Sequence, residues 1–79
     1  MKVYVKLLNV YRKYLPDGAQ GSTYSLDVPV ATRIEKLLTQ VPVPANEGQV
    51  VLVNGRTPLN GQVLEDGDTV AIFPAMAGG

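Results

Sequence analysis

The residues best placed to do chemistry stand at the end of the chain as written. Ala75-Met76-Ala77-Gly78-Gly79 follows directly on an apolar run and finishes in two glycines. Five extended residues reach about 17 Å. A tail of small residues can enter a narrow channel in a partner and present its carboxyl group there. With a pKa of about 3.5 that carboxylate is ionised and unreactive at neutral pH. Adenylation would activate it, and sulfide would then convert the acyl adenylate to a thiocarboxylate. Cysteine and histidine are both absent. Disulfides, thiol nucleophiles, Cys metal sites and Ser-His-Asp or Cys-His hydrolases are therefore excluded. A chain without cysteine can carry sulfur only on some such carboxyl end.

The other chemistry-bearing residues give weaker signals. Asp17, Asp27, Glu35, Glu47, Glu65, Asp66 and Asp68 are the carboxylates, densest at 65–68. No twelve-residue calcium loop surrounds them. Asp66-Gly67-Asp68 reads as a solvated turn with Gly67 left-handed. Arg12, Lys13 and Arg56 are three bases that could lie near one another, as surface charge or as a docking patch for an acidic partner. No Gly-rich phosphate loop is present, because Gly18 to Gly21 lacks a following Lys-Ser/Thr and helix. Tyr4, Tyr11, Tyr14 and Tyr24 could stack on bases. Seven basic and seven acidic side chains leave a net charge of zero. That balance points away from nucleic acid and from anionic membrane. No 18-residue apolar stretch and no targeting segment are apparent, so the expected compartment is the cytoplasm.

The elements that must position this tail follow from hydrophobic period. At 79 residues the chain is one small domain. In K-V-Y-V-K-L-L (2–8) Val3, Val5 and Leu7 share a face, which predicts a half-buried strand. Pro16-Asp17-Gly18 marks a turn. Tyr24, Leu26 and Val28 then share one face of a return strand. The period changes at Val30, Ile34, Leu37, Leu38 and Val41, one helical stripe that predicts a helix over roughly 31–39. Thr32 and Glu35 have the spacing of a capping box, and Pro42 and Pro44 end the helix. Val50 to Val53 is apolar on both faces, which predicts a central strand. Asn54-Gly55 predicts a type I′ hairpin turn. Arg56-Thr57 begins a short return, and Thr69 to Phe73 is the last strand. This order predicts an α+β fold: a mixed sheet of four to five strands with one short helix packed on one face. By fold analogy the first and last strands lie parallel at the centre. The domain would occupy residues 1–74, with 75–79 a flexible tail.

The tail V-A-I-F-P-A-M-A-G-G (70–79), the turn L-E-D-G-D (64–68) and the hairpin V-L-V-N-G-R (51–56) together resemble the ThiS/MoaD family. These are ubiquitin-like, β-grasp sulfur carriers. The opening segment K-V-Y-V-K-L-L-N-V-Y-R-K-Y-L-P (2–16) is similar to that of the molybdopterin-synthase small subunit. The resemblance covers essentially the whole chain. Position 75 departs from it, being Ala where family members often carry a second proline.

The resemblance implies that a ubiquitin-activating-like adenylating enzyme uses ATP to activate Gly79, with Gly78 its slim neighbour. The carrier itself would bind no cofactor and would not be catalytic alone. Phe73, Pro74 and Met76, with Arg12 and Arg56 as further candidates, would meet the partner. The sulfur would pass to molybdopterin synthase large subunit or an equivalent acceptor, in molybdenum- or tungsten-pterin assembly. Two alternatives share the same terminal glycine: a sulfur carrier for thiamine thiazole synthesis, and a ubiquitin-like modifier conjugated to proteins. A binding module with an inert tail is a third class.

Overall fold

A computed structural model of the chain describes residues 1–44 and 48–75. Four strands form one sheet: β1 (Lys2–Leu7), β2 (Thr23–Asp27), β3 (Gln49–Val53) and β4 (Thr69–Pro74). A 3-10 helix (Asn9–Tyr14) follows β1, and α1 (Ile34–Leu38) lies between β2 and β3. The spatial order is β2-β1-β4-β3. β1 pairs antiparallel with β2 and parallel with β4, and β4 pairs antiparallel with β3. The mixed sheet with parallel central strands β1 and β4 is the expected one.

Alternation along β1 and β4 decides which face is covered. Val3, Val5, Leu7, Val70 and Ile72 are fully buried. Ile34 and Leu37 of α1 join the same core, with Val28, Val53, Leu64, Val43 and Tyr11. A five-residue helix has no stability of its own in water. Burying Ile34 and Leu37 stabilises it by about 1.5–3 kcal/mol for each side chain. The opposite face carries Lys2, Tyr4 and Lys6 on β1, all exposed.

Several expectations are corrected. The helix is shorter than 31–39 and no capping box forms. Arg33 is the N-cap and makes no side-chain cap bond. The Thr32 hydroxyl instead donates to the Pro29 carbonyl at 2.6 Å, and Glu35 Oε2 accepts from the Gly61 N–H at 3.0 Å. Ala31, at φ 70, turns the chain away from helix just before Thr32. Val30 lies outside the buried stripe at 81% exposed.

β3 is an edge strand, not a central one. Its two apolar faces have different causes. Val51 and Val53 meet the core, whereas Val50 and Leu52 lie on the uncovered face, half-buried. Arg56 makes an isolated bridge to Val53 in place of a fifth strand.

Between Leu8 and Leu15, where alternation fails, the 3-10 helix tucks Tyr11 into the core. Among the described residues no helix is long and apolar enough to cross a membrane.

Candidate functional site at the exit of the last strand

β4 carries the chain toward Gly79, and two hydrogen bonds and one strand pairing fix where it leaves the sheet. Leu8 donates its N–H to Ile72 O at 3.0 Å, tying the end of β1 to β4. Pro74 is paired with Gln49, and the Ala75 N–H donates to the Gly48 carbonyl. Pro74 has no N–H to give and its φ is fixed, so it suits the last position of a strand. Met76, Gly78 and Gly79 lie outside the described residues.

Phe73 sits one residue beyond buried Ile72, so its ring stands on the face opposite the core. There it lies across from Val50, while Ala71 lies across from Leu52. All four are half-buried. They form an apolar group at the foot of the tail, flanked on β1 by Lys6, the partner of Ala71. A face of this composition fits a protein partner with an apolar core and polar rim. Val50, Leu52 and Ala71 were missed as site residues from sequence. The available signal is the two-sided apolarity of β3, which by itself predicts a central strand.

The three bases do not form one patch. Arg12 and Lys13 are exposed in the last turn of the 3-10 helix. That helix follows Leu7, which is paired with Ile72 near the exit. Tyr14 lies beneath the Lys13 ammonium, its ring centroid 5.3 Å from Nζ, and its ring is 6.2 Å from that of Tyr11. Arg56 is in the β3 hairpin, whose Asn54 donates its N–H to Thr69 O at the opposite end of β4. Arg12 and Lys13 thus flank the tail exit, and Arg56 lies away from it.

The acidic turn has a structural occupation. Asp66 Oδ1 accepts the Lys2 N–H at 2.8 Å, and Gly67 donates its N–H to Lys2 O at 2.8 Å. Asp68 accepts from Asn54 Nδ2 through Oδ1 and from the Glu65 N–H through Oδ2, both at 2.9 Å. Asn54 Oδ1 accepts the Thr69 N–H at 3.0 Å. Gly67 has φ 89, as its place in a tight turn predicts. These carboxylates brace the start of β1 and β4 at the end remote from the tail.

One polar atom is out of balance. The Tyr24 hydroxyl is buried and has no hydrogen-bond partner among the described residues. Burial pushes its pKa above the ordinary 10.0.

Comparison with known proteins gives two positive findings. Residues 6–79 match the ThiS family. A solved structure, SAMP1 from Haloferax volcanii, aligns over 100% of both chains with a TM-score of 0.74 and 22% sequence identity. At that identity the likeness speaks for the fold alone. No curated protein sequence matches. With the match running through nearly the whole length and the sheet order and helix placement of a β-grasp, the chain belongs to the ThiS family of ubiquitin-like, β-grasp proteins.

Proposed function

We propose that this protein is a sulfur carrier whose reactive group is the Gly79 carboxylate. A partner enzyme transfers AMP from ATP to that carboxylate and releases pyrophosphate. A sulfide equivalent then displaces AMP and leaves a thiocarboxylate. The observation that carries the reading is the family match, which extends through Gly78 and Gly79. The partner uses the ATP, and the carrier needs no resident cofactor.

Docking of the activating enzyme is assigned to the uncovered face at the tail exit. Phe73 is the central apolar contact, Pro74 sets the direction of departure, and Met76 follows in the tail. Arg12 and Lys13 supply positive charge at the rim, and an acidic rim on the partner would complement them. Arg56, toward the far end of β4, is left out of the proposed contact.

The acceptor of the sulfur is a second choice. The opening segment 2–16 with Arg12-Lys13 and the Phe73-Pro74 exit favour molybdopterin assembly, whereas the family match over residues 6–79 is to the ThiS family. Thiazole formation and conjugation to protein amines therefore stand ahead of molybdopterin assembly. Incubating the carrier with ATP, the adenylating enzyme and a sulfur source separates these products by mass. A thiocarboxylate retains the free carrier, and conjugation yields adducts with other proteins.

A further inference from the structure

We propose that β3 is a self-pairing edge. Two copies of this chain would join β3 to β3, antiparallel about a two-fold axis at Val50, so that two four-stranded sheets become one. Natural edge strands are protected by charge, proline, a bulge or a covering element. β3, Q-V-V-L-V, has no charged residue and no proline. Its register with β4 runs without a bulge from Gln49↔Pro74 to Val53↔Val70. The other edge, β2, ends at the charged Asp27, and Pro29 follows two residues later. A net charge of zero leaves no general repulsion between copies.

The pairing register follows from the backbone. Asn54 bonds to Thr69 and Gly48 to Ala75, so the even-numbered residues of β3 turn their main-chain groups toward β4. Gln49, Val51 and Val53 turn theirs to the free edge. Val53 is already engaged there, exchanging both bonds with Arg56 at 2.8 and 3.0 Å. Among the described residues, Gln49 and Val51 remain as two donors and two acceptors at that edge. A two-fold axis at Val50 sets Gln49 against Val51 of the second copy, and the reverse, for four hydrogen bonds. Val50 then meets its own copy on the uncovered face. Leu52 falls opposite Gly48, whose lack of a side chain leaves it room. The apolar group of Val50, Leu52 and Phe73 becomes continuous across the seam.

The consequence for activity rests on the docking face assigned above. A pair joined at β3 covers part of the surface at the foot of the tail, so only the monomer is open to the activating enzyme. Self-association itself needs no ATP, sulfur or partner, so its failure and the failure of the carrier reading are distinguishable.

Sedimentation equilibrium of the free protein over a range of concentrations tests the proposal, together with amide hydrogen exchange on the same samples. The expected mass rises from 8.5 kDa toward twice that value with concentration. Exchange at Gln49 and Val51 slows in parallel, and exchange at Ser25 and Asp27 does not. Val50→Lys and Val50→Glu, each alone, place like charges opposite one another and abolish association; mixed together they restore it. A mass that stays at 8.5 kDa throughout overturns the proposal. So does association whose protection maps to β2. The wild-type exchange pattern decides the matter even if a charged variant fails to fold.

Discussion

Phe73 lies directly opposite Val50 across the β3–β4 ladder, on the face of the sheet that α1 does not cover. A single-residue shift in the phase of β4 would have put Phe73 in the core and Ile72 outside. The burial of Val70 and Ile72 fixes that phase, and with it Phe73 stands half-buried on the face opposite the core.

Phe73→Ala is expected to weaken binding of the activating enzyme by about 2 kcal/mol or more, the level of an interface hot spot. The same change should cost the free protein well under the roughly 3–5 kcal/mol of a fully buried Phe. Denaturant unfolding and partner titration of the one variant check both numbers. A large stability loss with unchanged affinity would remove Phe73 from the interface.

Gly78→Val should leave unfolding of the domain unchanged while sharply lowering adenylation. A Cβ both narrows the backbone angles open to the tail and widens its cross-section. ATP–pyrophosphate exchange by the activating enzyme reads the effect. Normal exchange by the Val variant would contradict passage of the tail through a narrow channel.

Gly55→Val is expected to cost about 1–2 kcal/mol, because an L-residue is strained in the left-handed region. Asn54 and Gly55 have φ values of 51 and 82, as the type I′ turn requires. Among the described residues nothing beyond its chain neighbours lies within 4 Å of the position a Cβ would take at Gly55, so the cost is in the backbone. Gly55→Ala should therefore cost nearly as much as Gly55→Val. A Val variant far less stable than the Ala variant would point to a steric clash in its place.

Tyr24→Phe should be neutral or stabilising, since it removes a buried hydroxyl that has no partner among the described residues. It should also flatten the alkaline limb of the stability profile. The folded pKa lies above 10.0, so near and above that pH the unfolded chain loses the proton first. The Tyr24 contribution is present in full below pH 10 and declines as pH rises through the folded value. Urea midpoints of the two proteins from neutral to alkaline pH test the sign.

The element order was legible because period two and period 3.6 alternate cleanly along the chain, and Asn54-Gly55 and Gly67 announce their own turns. What was not legible depended on position in the assembled sheet. Val50 to Val53 carries an apolar residue on each face, whether the second face is buried by another layer or left open for a partner. Thr32 and Glu35 have the spacing of a capping box, yet each finds a competing bond, to Pro29 and Gly61. The 3-10 helix has no period that separates it from a loop, and only its contact with the core through Tyr11 gives it a place. Arg12 and Arg56 were grouped by charge, and only strand register could separate them. The candidate site at Gly78 and Gly79 rests on composition and sequence position alone and lies outside the described residues.

The chemistry proposed at Gly79 replaces one carboxylate oxygen with sulfur. Intact-mass measurement after incubation with ATP, the activating enzyme and a sulfur source, followed by fragmentation, tests it most directly. The expected result is a mass gain equal to the replacement of one oxygen by sulfur, located on Gly79. It should be absent without ATP and lost when Gly79 is deleted. A gain of sulfur located on any other residue, or one that persists without ATP, would contradict the carrier mechanism.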